Sequence, residues 1–431
     1  MKFLINIIFI FFVLNNANAE NHLRYFIDAA FKNNLKLNAE RKNQQSIKQN
    51  INISRSEFLP SISLSGNQSS SQSTNKTDQS GSNLSDSNLD SETKTISVDQ
   101  KLFQGFKGLN SFKKSELEVK KANVRLQKVE QETILNTVSA YFDLIFKTKN
   151  RDFNLSNVNL FERQVESDTA RLQKGEITLT DLAQSESSLA GANAELIKAE
   201  TELLASKTNF ERIIRERAPT SMNTTENVEV KIPNSLQEAI KIAKENNADL
   251  LIAKLEYQIS EKDLNIEKAK LSPSASINYS KSENKDYSST IDELDEETVK
   301  ATITWPIIKG GENISSIKKS SLKKQRSLFL AEDSENKAIT ETTNFWSKYQ
   351  SSKSVLTATE AQLKAAEIAN EGIMLEYDSG NTRTTLEVIQ SRSLLLEARI
   401  ASAKAQRDFM ISKFELAFQL GTLSSNSIKS L

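Results

Sequence analysis

The stretch EYDSGNTRTTLEVIQSR, Glu376 to Arg392, decides the fold. Its Gly380-Asn381 break interrupts apolar periodicity that runs far in both directions, which predicts a tight turn between two very long helices. Upstream, Leu356, Thr359, Leu363, Ala366, Asn370, Ile373 and Tyr377 alternate spacings of three and four. Downstream, Val388, Ser391, Leu395, Ala398, Ser402, Ala405, Phe409, Ser412 and Leu416 do the same. Such a pattern is the seam of a coiled-coil-like pair, so the turn is the tip of a long antiparallel helical hairpin.

The hairpin occurs twice. RLQKGEITLTDLAQSE repeats the turn around Gly175, followed by the seam Leu182, Ser185, Leu189, Ala192, Leu196, Ala199, Leu203, Ser206 and Phe210. Each of these lies 206 residues before its counterpart, as 182 before 388 and 210 before 416, which marks a duplicated unit.

Lys2, the apolar runs Phe3 to Ile5 and Ile7 to Leu14, and the Ala17-Asn18-Ala19 exit describe a cleavable secretory signal over residues 1–19. The mature chain is expected to begin near Glu20, without the Cys that a lipid anchor needs. With no Cys anywhere, neither disulfides nor thiolate chemistry are available. After residue 19 no apolar run of about 18 residues exists, which argues against a transmembrane helix. Lys plus Arg and Asp plus Glu both number 56, so charge gives no argument for nucleic acid as a partner. Only five Pro and 11 Gly interrupt a chain rich in Ala, Leu, Glu, Lys, Gln and Ser, the profile of long helices.

In chain order, the first copy spans 20–217 and the second 235–421, joined by a linker at 218–234 and followed by a polar, loosely held tail at 422–431. Each copy opens with a short amphipathic helix, HLRYFIDAAFKNN from His22 and SLQEAIKIAKENN from Ser235, the latter started by a Ser235/Glu238 capping box. Asn-Asn ends each. A second helix follows, from about Leu37 to Phe58 and from about Asp249 to Leu271, and stops at Pro60 or Pro273.

Beyond the prolines the period changes to two. Ile62, Leu64 and Gly66, then Ile96, Val98, Gln100 and Leu102, form one predicted β-hairpin at about 60–104. Ala275, Ile277 and Tyr279, then Val299, Ala301, Ile303 and Trp305, form the other at about 273–306. The connections Asn67 to Glu92 and Ser280 to Glu297 are polar and are expected to be loops, the first long and mobile. Asp292, Glu293, Asp295, Glu296 and Glu297 fit no standard calcium-loop spacing, and a solvated charge cluster is the ordinary explanation. Gly-bearing corners, Gly105 with Gly108 and Gly310 with Gly311, lead into the long helical hairpins at 106–217 and 310–421. Their ascending helices, about 65 residues each, would reach about 100 Å, which no globular core requires.

Four half-apolar strands cannot close a barrel, and an open sheet in a bilayer leaves backbone groups unpaired at several kcal/mol each. Strands must therefore be pooled between chains; about eight is the smallest closed barrel, so two or three copies are needed, and three supply twelve. Narrow seams on two sides of each long helix likewise ask for neighbours on both flanks. A barrel continued by a helical cylinder is a pore.

Here the chain resembles the TolC-like outer-membrane efflux proteins. The resemblance rests on the duplication, the β-hairpin set between helices, KGEITLTDL, YDSGNTRTTLEVI and the closing LAFQLGTLS, and covers about Asn21 to Ser425. It implies a mainly α protein with membrane β: two tandem repeats forming a trimeric 12-stranded β-barrel continued by an α-helical barrel. It implies a homotrimer embedded in outer-membrane lipid, with its helices in the periplasm. It also implies a periplasmic adaptor (membrane fusion) protein and an inner-membrane pump of RND, ABC or MFS type as partners, in efflux or type I secretion.

The family's periplasmic gate carries over residue by residue: its Thr-Asp pair to Thr180 and Asp181, its tyrosine and arginine to Tyr377 and Arg383, and its first gate acid to Glu387. The hairpin tips at Gly175 and Gly380 are the implied adaptor contacts. Two departures stand out. One extra residue separates Gly380 from Arg383, which leaves the facing of the arginine open, and the second acidic position is Gln390, which leaves Glu387 as the main cation-attracting ring. By spacing alone, Arg383 and Glu387 share a helix face, and an exposed pair of this kind contributes only about 0.2 to 0.5 kcal/mol. Read without the resemblance, these are polar residues at helix ends, with Thr180 or Asp181 capping.

Lys113-Lys114 and Lys318-Lys319 open the long helices of the two copies; they either meet lipid phosphates below the barrel or form a solvated face. An enzyme is not expected, nor any cofactor or metal. The single histidine, His22, adjoins the signal, and no phosphate-binding glycine loop occurs. Tyr141-Phe142 and Phe345-Trp346 occupy equivalent mid-helix places and read as packing. The rival is a soluble periplasmic coiled-coil adaptor, which has no need of four strands with one apolar face.

Overall fold

The computed structural model describes residues 23–219, 228–288, 290–379, 383–424 and 429–430. The signal at 1–19, the expected mature start at Glu20, His22 and the Gly380-Asn381 break lie outside them. The first copy runs α1 (Leu23–Asn33), α2 (Leu35–Ser56), β1 (Ser61–Ser73), β2 (Lys76–Thr77), β3 (Asn83–Leu84), β4 (Ser87–Gln104), α3 (Lys107–Gln173) and α4 (Leu179–Ile214). After β5 (Val228–Glu229) the second runs α5 (Leu236–Asn246), α6 (Ala248–Ala269), β6 (Ser274–Ser288), β7 (Ile291–Thr304), α7 (Glu312–Asp378) and α8 (Thr385–Gln419), with β8 (Lys429–Ser430) in the tail. Helix dominates, as the composition requires, and both ascending helices are unbroken over 67 residues.

Sequence copies and spatial units do not coincide. One compact unit takes Arg41–Arg125 and Asp249–Ser334; the other takes the described residues of 1–40 with Leu126–Ala248 and Glu335–Leu431. Each unit thus combines matching parts of both copies.

The first unit carries an antiparallel sheet in the order β1-β4-β6-β7. Among the described residues, the outer edges of β1 and β7 pair with nothing. Ile62, Val98, Tyr279 and Val299 form one row across all four strands. The apolar face of the sheet is bare: Ile303 is 79% and Leu64 77% exposed.

The polar connections expected to be loops are mostly strand. β1 continues to Ser73 and β4 begins at Ser87, with β2 and β3 forming a small ribbon at the end; β6 continues to Ser288 and β7 begins at Ile291. Ladder hydrogen bonds are made by backbone, so a hairpin continues through Ser and Thr once its register is set. Charge assists: Lys281 and Lys285 of β6 stand opposite Glu297 and Glu293 of β7, and Lys94 of β4 opposite Glu283. Part of the acidic run therefore stands opposite lysines across the sheet.

Beneath the sheet four helix segments lie side by side. Ser54 of α2 hydrogen-bonds Ser115 of α3. Lys114 of α3 meets Asp263 of α6 at 2.8 Å and Lys121 meets Glu256 at 3.7 Å. Lys324 of α7 reaches Glu261 of α6 at 3.1 Å. The neighbour order is thus α2-α3-α6-α7. At the corner into α3, Gly105 has φ +60° and any Cβ would collide with Ser272, so only glycine fits.

The second unit has a conventional core. Leu23, Phe26 and Ile27 of α1 pack with Tyr141 of α3, Phe210 of α4 and Phe414 of α8, and Tyr141, Phe210 and Phe414 are fully buried. Phe345 and Trp346 pack against Ala239, Ala243, Leu416 and Leu420, the equivalent place in the second copy. The seam residues Val388, Ser391, Leu395, Ala398, Ser402, Ala405, Ser412 and Leu416 are all buried. Two equivalent staples close the copies: Asn34 donates to the Ile213 carbonyl at 3.1 Å, and Asn247 to the Gln419 carbonyl at 2.9 Å.

Two local expectations change. Ser235 caps α5, accepting from the Glu238 N–H at 3.2 Å, but the Glu238 carboxylate accepts from Asn234 and not from Ser235, so the box is one residue wider. The described parts of the tail are held: Leu423 is buried and β8 pairs with β5. Gly421 supplies the bend, with φ +71° and the Asn246 carbonyl where a Cβ would stand.

Candidate gate at the hairpin tips

Each described tip is built by local backbone chemistry. α3 ends in a Schellman motif: Glu176 N–H donates to the Arg171 carbonyl and Gly175 N–H to that of Leu172, both at 2.9 Å, with Gly175 at φ +76°. α4 then starts with a reciprocal box. Thr178 Oγ1 accepts from the Asp181 N–H at 3.3 Å, and Asp181 Oδ2 accepts from the Thr178 N–H at 2.9 Å.

The second tip repeats this 206 residues on. Thr384 caps α8, and Glu387 accepts from the Thr384 N–H at 2.8 Å. Arg383 adds two ion pairs, to Glu376 at 2.6 Å and Glu387 at 3.0 Å. Hydrogen bonds from Thr178 hold the Asp181 carboxyl below its ordinary value. Those from Thr384, followed by Arg383, do the same for Glu387.

Of the sequence-derived residues, Asp181, Arg383 and Glu387 are thus engaged within their own hairpins. Thr180 and Gln390 are exposed, and neither side chain makes a hydrogen bond among the described residues. Asp181 caps, as the resemblance-free reading had it, though Thr178 and not Thr180 is the N-cap residue. Gly175 stands in open space, and Gly380 lies outside the described residues.

Tyr377 behaves differently, because its hydroxyl crosses between hairpins. It accepts from Arg171 Nη1, whose guanidinium also lies 4.9 Å from the ring centre, and it donates to Asp168 Oδ1 at 3.3 Å. Gln164 Nε2 approaches it at 3.4 Å and Thr385 Oγ1 at 3.3 Å. Arg171 and Tyr377 are themselves counterparts, 206 residues apart, so the two copies touch through equivalent positions.

Behind this lies a buried polar layer that the sequence reading missed. Asp168 is fully buried and accepts from Ser185 at 2.6 Å and Gln164 at 2.9 Å. Arg392, also buried, donates to Gln164 Oε1 at 3.1 Å. The missed signal was spacing: Asn154, Asn157, Phe161, Gln164 and Asp168 follow each other at three and four residues, and all are buried. A carboxylate on such a stripe must find partners inside.

The family model described as "Outer membrane efflux protein" matches residues 26–214 and 239–422. The outer membrane efflux protein BepC of Brucella suis is 24% identical over 400 residues, covering 93% of this chain and 85% of the relative. The outer membrane protein TolC of Vibrio cholerae is 22% identical over 389 residues, covering 88% and 85%. Among solved structures, the CmeC outer membrane channel of Campylobacter jejuni has the same fold, with a TM-score of 0.81 at 15% identity over 93% of this chain and 85% of that one.

Proposed function

The chain belongs to the outer membrane efflux protein family, and from that premise we propose that three copies pool their sheets and helices into one tunnel. The protein is an outer-membrane channel for efflux or type I secretion, with its helices in the periplasm. One observation supports pooling above all: a four-stranded sheet with both outer edges unpaired among the described residues and a bare apolar face. In a bilayer such edges are tolerable only when another copy pairs them. Twelve strands from three copies would close the barrel. A periplasmic adaptor and an inner-membrane pump of RND, ABC or MFS type would deliver the substrate, with the tips at Gly175 and Gly380 as the adaptor contact.

The gate is the set of tip links. Tyr377 ties the second hairpin to the first through Asp168, Arg171 and Gln164, while Arg383, Glu387, Thr180, Asp181 and Gln390 line the tips around it. Hydrogen bonds to charged groups such as Asp168 and Arg171 contribute about 1.5 to 3 kcal/mol each net, so opening the tips takes several kcal/mol from an adaptor's contacts.

Planar-bilayer recordings test the gate, and heat-dependent gel mobility tests the assembly. Asp168→Ala strips acceptors from Tyr377, Ser185 and Gln164 at once, so closed-channel conductance should rise more than in Arg383→Ser, which loses only exposed pairs. Unchanged conductance in both variants would reject the gate. A chain that migrates as a monomer before heating would reject the tunnel.

A further inference from the structure

The duplication carries a second reading in the first unit. α2 and α6 correspond at a constant offset, as Asn34 with Asn247 and Pro60 with Pro273; α3 and α7 correspond as Lys113 with Lys318. In the order α2-α3-α6-α7, the inner pair α3-α6 is the junction between copies within one chain, and α2 and α7 each keep a free flank. Burial agrees. Ile259, Ser260 and Leu264 in the middle of α6 are buried, while Ile53 of α2 is exposed and Lys319, Leu322, Lys323 and Arg326 of α7 are exposed.

The inner junction is sealed by charge: Lys114 on Asp263, Lys121 on Glu256. Transferring that register to the free flanks sets Lys319 of α7 opposite Asn50 of α2, and Arg326 opposite Asn43. The acids are gone. α2 carries one carboxylate, Glu40, where α6 carries five. On α7, moreover, Lys323 replaces the acidic counterpart Glu118. Among the described residues, Lys319, Lys323 and Arg326 form no ion pair.

We propose that the free flank of α7 docks on α2 of a second copy of this chain in the α3-α6 register, and that this seam, unlike its intrachain twin, holds cations without carboxylates. It rests on the tunnel reading above. The occupant is a second copy because the same chain already makes the equivalent contact with itself. The consequence is an assembly whose junctions differ: one kind is sealed by ion pairs, the other is basic and responsive to salt.

The test installs the missing acids in the full chain. Asn43→Glu with Asn50→Asp should raise the temperature at which the detergent-solubilised trimer dissociates by a few degrees. That gain should vanish when Lys319→Gln and Arg326→Gln are added, and shrink between about 0.05 and about 0.5 M salt. In the cysteine-free chain, Asn50→Cys with Lys319→Cys should give interchain products with a short bismaleimide, and Lys114→Cys with Asp263→Cys only intrachain ones. A gain that persists without the cations, no gain, or intrachain products from the first cysteine pair would overturn the register. A wild-type chain that forms no trimer would remove the tunnel reading and this seam together, whereas a normal trimer indifferent to the acids would remove the seam alone.

Discussion

The helical unit and the sheet treat their apolar residues in opposite ways. Around Tyr141, Phe210 and Phe414, three aromatic side chains from three helices are fully withdrawn from water by the same chain. On the sheet, Val299, Ile303 and Leu64 are more than two-thirds exposed. The comparison teaches where the chain completes its own burial and where it relies on surroundings that it does not supply. Burial of a large side chain is favourable by about 1.5 to 3 kcal/mol, so the strands cannot be stable as a bare face in water. In the tunnel proposed above, lipid on one side and further copies at the edges would supply what is missing.

The largest break should come from the finished region. Phe210→Ala leaves a cavity beneath α1 and should cost about 3 to 5 kcal/mol, read as a lowered midpoint in thermal melts followed by helical circular dichroism. In the unfinished region the direction of the side chain matters more than its size. Ile303→Arg should cost about 2 to 4 kcal/mol if its row lies near the bilayer midplane, and reduce outer-membrane insertion; Thr302→Arg, one residue away on the other face, should insert normally. Equal insertion of the two variants would remove the apolar face from the lipid.

The smallest effect sharpens the comparison at the tips, which belong to neither regime. Thr178→Ala and Thr384→Ala should each cost about 1 kcal/mol, read as faster proteolysis at the corresponding turn. Asp181 and Glu387 have folded pKa values below their ordinary ones, so their contribution is present above the ordinary carboxylate range, about 4, and lost as pH falls through the lower folded values. Proteolysis of both wild-type tips with an acid-active protease should therefore accelerate on acidification below that range, and the two Ala variants should respond less.

Much of this architecture was legible because helical and strand periods are geometric. The seam from Val388 to Leu416 was buried as its spacing required except at Phe409, which is half-buried, and the two ascending helices run to 67 residues against an expected length of about 65. The strand extensions were not legible. Ser69 and Ser70 carry no alternation, and only a partner strand in register tells them apart from a loop. At the first tip, the sequence located the turn and one capping acid, Asp181, but not the matching cap by Glu387 at the second. It did not locate the partner of Tyr377, since Asp168 lies 209 residues away and the pairing exists only once both hairpins are built.

Asn34 and Asn247 each fasten the opening of a copy to the last turn of its final helix. A module whose beginning and end meet at one knot can be copied head to tail without rethreading anything inside it. The second copy simply starts where the first stopped. That closure makes tandem doubling of this coding segment a topologically harmless event, and it leaves each half free to diverge in charge while both keep the same path.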